Sequence, residues 1–216
     1  MNSNNLIEKT ILFVKDTLKG AEGGHDWFHI ERVFKTAKKI AQVEEVDLLI
    51  VQLAALLHDI ADPKFHDGDE EIGPKMASDF LRSQKVSEEN VEHVSNIIRY
   101  MSFKNSLDNS TSFSSKELQV VQDADRLDAI GAIGIARTFN YGGFKNRELY
   151  NPDIQPNLNM SKEEYKKSNA PTINHFYEKL LLLKDQMNTT SGKKIAQERH
   201  QFMLDFLNQF YKEWNP

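Results

Sequence analysis

The segment Leu48–Ile60, LLIVQLAALLHDI, carries aliphatic side chains around its whole circumference rather than along one stripe. A helix that is apolar nearly all round has to be buried at the centre of a fold. Other elements must therefore enclose it, and each needs one apolar face to do so. Asp47 is placed to begin this helix and Pro63 to end it. The run closes on His58 and Asp59, two good donors for a divalent cation, where a harmless cap or turn would serve.

The flanking sequence supplies those faces at helical spacing. Leu6, Ile7, Ile11, Val14 and Leu18 recur at three- and four-residue steps, and Gly20 stops them. A second helix is expected from about Trp27 to Val43, with Ile30, Val33, Phe34, Ala37, Ile40 and Ala41 on one stripe. Pro74 suits the first turn of a helix leading into KMASDFLRSQK, and Ser87 opens another with Val91, Val94, Ile97 and Ile98 inward. One further helix is expected from about Lys116 to Phe139, its Gly131 and Gly134 allowing close packing. NYGGFKNRELYNPDIQPNLNM is the longest irregular stretch, and helix returns in NHFYEKLLLLKDQM and SGKKIAQERHQFMLDFLNQFYKEW. No convincing strand, repeat or linker interrupts this pattern, which predicts one all-α domain.

Composition limits what such a domain does. The chain has 216 residues, 39% of them hydrophobic, and a formal net charge of -5, which fits a globular protein and not a nucleic-acid polymer binder. A polyanionic substrate would have to be held by local cations or a metal. No cysteine is present, so disulfides, thiolate zinc sites and cysteine nucleophiles are excluded. The N-terminus carries Glu8, Lys9, Lys15 and Asp16 within its apolar pattern, unlike a signal peptide or membrane anchor, and a cytoplasmic location is expected.

The chemistry-bearing residues are His29 in HDWFHIERV, His58-Asp59, and Asp123, Asp125 and Asp128 in QDADRLDAIG. An ionised carboxylate among aliphatic neighbours costs several kcal/mol unless paired, hydrogen-bonded or metal-bound. Ion pairs of Asp59 and Asp125 with Arg32 and Arg126 would satisfy them. So would a divalent ion bound through mixed nitrogen and oxygen donors. Adjacent helical residues project about 100° apart. His58 and Asp59 can therefore reach one ion only if it sits at the helix end, between neighbouring helices.

His29, then His58-Asp59, then Asp125 resembles the metal-binding signature of the HD-domain superfamily of metal-dependent phosphohydrolases. HIERV, HDIADPKF, MSFK and DADRLDAIGAIG resemble a small stand-alone bacterial subgroup, and the likeness runs from about Asp26 to Tyr141. It implies a single compact all-α bundle with a core near residues 26–141, completed by the loop and C-terminal helices of 142–216. It implies His29, His58, Asp59 and Asp125 as ligands of one divalent ion. Manganese, iron, cobalt, nickel or zinc suits two imidazoles better than magnesium does.

Asp62 occupies the place where some relatives carry the acid that orients the attacking water, although before Pro63 it could equally close the turn. Asp123 and Asp128 are candidates for supporting or capping roles. Arg32, one turn from His29, is the best-placed phosphate clamp, since a guanidinium can donate two parallel bonds. Arg126, Lys64 and Lys104 are further substrate-binding candidates. His93 is a candidate substrate contact or ordinary helix-face histidine; a second ion, recruiting it or His66, is not favoured. His25, His175 and His200 are not expected to be ligands. Tyr141, Phe144 and Tyr150 offer faces for a nucleobase or for packing of the loop.

Departures narrow the resemblance. Guanosine-tetraphosphate hydrolases carry a Glu-Asp pair where this chain has Ala61-Asp62, and the Gly-Tyr-Pro motif of cyclic-di-nucleotide phosphodiesterases is missing. Triphosphohydrolases acting on dGTP are generally longer. The expected activity is hydrolysis of small phosphate esters, with (deoxy)nucleoside triphosphate to monophosphate plus pyrophosphate favoured. A nucleotide 5'-monophosphatase and a non-catalytic metal-containing regulatory module are the alternatives. The expected partner is a small-molecule nucleotide, with no membrane; the oligomeric state, a homodimer included, is open.

Overall fold

The computed structural model describes residues 3–20, 26–61, 69–101, 113–161, 164 and 168–216. These are mostly helical, with no strand among the described residues. They fall into two compact units, Met1–Asp125 and Arg126–Pro216, with the boundary inside one helix.

The first unit contains α1 (Ser3–Thr17), α2 (Trp27–Ala41), α3 (Leu48–Leu57), α4 (Ile72–Ser83), α5 (Glu88–Tyr100) and most of α6 (Lys116–Asp128). α3 is its centre. Leu53, Ala54, Ala55, Leu56 and Leu57 are all 0% exposed, and the helix packs against α1, α2 and α5. Burial of each of these leucines contributes roughly 1.5–3 kcal/mol. Asp47 is the N-cap, accepting from the Leu49 and Ile50 N–H groups at 2.8 and 3.2 Å. The helix stops at Leu57 rather than continuing to Ile60. His58 is its C-cap, and its ring takes the Ala55 carbonyl, one of the last four that a helix end leaves without an intrahelical donor.

α2 is capped by Asp26, whose side chain accepts from the His29 N–H at 3.0 Å. Ser87 stands at the N-cap of α5 as expected, in extended conformation but without a side-chain capping bond. α4 pairs with α5, and Phe13 of α1 stacks on Phe80 of α4 with ring centroids 4.2 Å apart.

The second unit contains α7 (Gly131–Phe144), the short α8 (Asn174–Glu178), a 3-10 segment (Leu180–Gln186) and α9 (Thr190–Trp214). The single helix expected over Lys116–Phe139 is two helices, broken at Ala129-Ile130. Gly131 has φ +76, which a residue with Cβ adopts only with strain. A Cβ on Gly134 would lie 2.3 Å from the Ala129 carbonyl oxygen, so this glycine serves the break itself. Gly131 also brings α7 close to α9, since a Cβ there would be 3.0 Å from Arg199 Cγ.

α7 absorbs the NYGGF stretch expected to be loop. Tyr150 packs edge-on against Phe210, Tyr211 and Trp214 of α9, with centroids 5.8, 5.4 and 5.0 Å away. Tyr141 and Phe144 stay exposed, with the Lys145 ammonium 5.6 and 5.1 Å from their ring centres.

Candidate metal centre

Three helices of the first unit bring one donor each to a common point. α2 supplies His29, held in its first turn by the Asp26 cap and 3% exposed. The end of α3 supplies His58, whose side chain is 5% exposed. α6 supplies Asp125, whose side chain is 41% exposed and so opens the cluster to solvent. Asp125 Oδ1 lies 3.5 Å from His29 Nε2 and 3.8 Å from His58 Nε2. One donor atom from each residue falls within 4.8 Å of the others. Two ligands about 2.1 Å from one tetrahedral ion are about 3.4 Å apart, so these spacings suit a shared cation.

The imidazoles meet edge to face and are not stacked on one another. Their centroids are 5.4 Å apart and their planes 63° from parallel. His58 Nδ1 is 2.9 Å from the Ala55 carbonyl oxygen. A carbonyl only accepts, so Nδ1 carries the hydrogen and Nε2 presents its lone pair. That Nε2 is buried and has no hydrogen-bond partner. A polar atom left so costs about 1–3 kcal/mol, and a Lewis-acidic cation at the cluster would relieve it. A backbone bond on the far nitrogen is also the usual way a ligating imidazole is oriented. The donor set, two nitrogens and a carboxylate oxygen, fits a divalent transition metal.

The other candidates divide. Asp59, next to His58 at the same helix end, is half-buried and does not join the group of three mutually close donors. Arg32 lies one turn beyond His29 on α2, half-buried. Asp123 is fully buried on α6. Asp128 is an ion-pair partner, with Arg137 Nη1 donating to its carboxylate at 2.5 Å. Arg126 spends one guanidinium N–H on the Gln186 carbonyl at 2.6 Å, a bond within the second unit. His93 sits apart from the three donors, its Nε2 3.1 Å from Ser115 Oγ and 3.6 Å from Glu117 Oε2. Asp62, Lys64, Lys104, His25 and His66 lie outside the described residues, as does Pro63.

Sequence reasoning passed over Asp26. Its signal was an aspartate directly before the first residue of an amphipathic run, the ordinary mark of an N-cap. Glu117 was missed too, because the contact that distinguishes it is made to the backbone of a distant helix.

A family model of the HD domain matches residues 27–130, from the start of α2 to the break before α7. The chain belongs to the HD-domain family. An HD-superfamily hydrolase from Bacillus thuringiensis has a solved structure similar to this one, with 47% identity, a TM-score of 0.80 and 99% of each chain covered. The uncharacterized protein YpgQ of Bacillus subtilis (strain 168) is 39% identical over 206 residues, 95% of this chain and 92% of that one. The crystal structure of Bacillus subtilis YpgQ in complex with ADP superposes with a TM-score of 0.77 at 36% identity, covering 99% of this chain and 97% of that one. The HD-domain assignment and these likenesses make the chain an HD-superfamily hydrolase. No helix among the described residues is long and apolar enough to cross a membrane.

Proposed function

We infer that the chain is a metal-dependent nucleotide phosphohydrolase, splitting (deoxy)nucleoside triphosphates into monophosphate and pyrophosphate in the cytoplasm. The observation that carries the reading is His58 Nε2, buried without a hydrogen-bond partner and facing Asp125 across 3.8 Å beside His29. The ADP complex of the similar YpgQ supports a nucleotide as ligand. A divalent ion bound there would supply Lewis acidity toward a phosphoryl oxygen and toward water.

His29, His58 and Asp125 would hold that ion, with Asp59 completing the set beside His58. Arg32 donates to a phosphate oxygen, using two parallel N–H groups where the approach allows it. Water attacks the α-phosphorus, the bond from that phosphorus to the bridging oxygen breaks, and pyrophosphate leaves with the electron pair. The carboxylate of Asp62 accepts the proton that water loses, as a general base. No serine, threonine or cysteine nucleophile is needed.

The test is release of phosphate and pyrophosphate from a panel of nucleoside mono- and triphosphates. Manganese, cobalt, nickel or magnesium is added in turn, beside chelated protein. Pyrophosphate from triphosphates, abolished by chelator, is the expected result. Phosphate from monophosphates alone would replace the reading with a 5'-monophosphatase. Metal binding with no turnover across the panel would replace it with a regulatory binding module.

A further inference from the structure

The two helices that deliver His58 and Asp125 are also joined at their opposite ends. Asp47, which caps α3 with its side chain, gives its own backbone N–H to Glu117 Oε1 at 3.0 Å. Glu117 lies in the first turn of α6. From that bond α3 rises about 16 Å to His58, and α6 rises about 12 Å to Asp125. The two helices therefore approach each other at both ends, at the Asp47–Glu117 bond and again at the three donors.

Glu117 is built into this junction rather than left in solvent. Its side chain is 14% exposed, and its second oxygen lies 3.6 Å from His93 Nε2 of α5. The same His93 nitrogen is 3.1 Å from Ser115 Oγ, which accepts from the Leu118 N–H at 3.0 Å and so caps α6. A negative charge in a first helical turn is itself favoured by the helix dipole. The neighbouring Lys116–Glu45 pair also links these segments, at 3.4 Å, but its side chains are 65% and 94% exposed. Such a pair contributes little and fixes no geometry.

We propose that Glu117 is a positioning residue for the metal centre: its bond to the Asp47 N–H sets the axial register of α3 against α6, and with it the distance between His58 Nε2 and Asp125 Oδ1. The proposal rests on the reading that these donors hold a divalent ion. Ligands must be placed to within about 0.5 Å for tight binding, and a slip of α3 along its own axis moves His58 directly. Nothing in the immediate surroundings of the donors would betray this dependence.

Two substitutions separate positioning from folding. Glu117→Met keeps side-chain length and helix propensity but removes the acceptor; Glu117→Gln keeps an acceptor oxygen for the Asp47 N–H. That N–H lies at an exposed junction, so water can take the bond in Glu117→Met and the fold survives. Manganese affinity is measured by competition with a chelator, beside thermal unfolding of the metal-free proteins.

Glu117→Met should bind manganese about fivefold more weakly, less than the roughly 10–100-fold lost with partners bonded directly to a ligand. Glu117→Gln should stay within about twofold of the parent, and the two metal-free variants, which lose the same helix-terminal charge, should unfold at matching midpoints. Parental affinity in Glu117→Met would overturn the proposal, as would Glu117→Gln binding as weakly as Glu117→Met. A Glu117→Met protein that does not fold also overturns it, since Glu117 would then serve the fold and not the site. Failure of the parent itself to bind manganese would sink the metal reading, and this proposal with it.

Discussion

Replacing Asp26 by alanine removes one hydrogen bond, from the His29 N–H to Asp26 Oδ1 at 3.0 Å. Loss of an aspartate N-cap costs about 1 kcal/mol, which in a chain of this size lowers the unfolding midpoint by about 2–4 °C. The loss bears on the site because the N–H belongs to His29 itself. Asp26 holds the turn that carries this donor, and without it the first turn of α2 frays. If the ion binds only when that turn is wound, the same 1 kcal/mol reappears as up to about fivefold weaker metal affinity. Thermal unfolding followed by circular dichroism in chelator gives the first quantity, and manganese titration the second. Asp26→Ser should restore both, since serine caps about as well as aspartate. A wild-type midpoint in Asp26→Ala would refute the capping argument. A lowered midpoint with unchanged affinity would refute its coupling to the site.

Three further outcomes are expected. Asp59→Ala should lose the metal and all hydrolysis, whereas Asp62→Ala should keep the metal and lose most of the rate; hydrolysis surviving in Asp59→Ala would end the mechanism. Gly131→Ala places a Cβ at φ +76 and 3.0 Å from Arg199 Cγ, so it should cost about 1–2 kcal/mol from the left-handed backbone alone, read as a lower urea midpoint. Burial, reinforced by Lys179 and Arg147, pushes the His175 pKa down from 6.5 to about 4. The unfolded chain then takes up that proton first as pH falls, and stability drops between about pH 6.5 and pH 4 by up to about 3 kcal/mol. His175→Gln should flatten that part of the stability profile, and an unaltered profile would count against it.

The parts of this molecule legible in its sequence are those governed by burial. Leu48–Ile60 reads as a central helix because no face of it can meet water, and α3 is enclosed as that demands. His29, His58 and Asp125 stand out because polar donors interrupt apolar helices, in an order that resembles a known signature. What escaped depends on geometry that hydropathy does not record. The apolar period continues from Val120 through Ile135, so the break between α6 and α7 is invisible to periodicity; only the φ of Gly131 and the crowding at Gly134 reveal it. Arg126 reads as a phosphate contact or as an ion-pair partner of a nearby carboxylate, yet one of its donors is committed to a carbonyl sixty residues away. Among the described residues, Tyr150 meets a ring cluster that Tyr141 and Phe144 do not, because the partners lie on a helix that local sequence cannot bring near.

The bond from His58 Nδ1 to the Ala55 carbonyl has an evolutionary consequence. Ligand histidines are often aimed by a neighbouring carboxylate, which a single codon change can delete. Here the acceptor is main chain, so no substitution at residue 55 other than one that unwinds the helix end can remove it. Variation at that position is limited by volume, since Ala55 is fully enclosed, and not by the chemistry of the site. The orientation of this ring is thereby sheltered from substitution at residue 55, and a change that disturbs it falls far more easily on His58 itself.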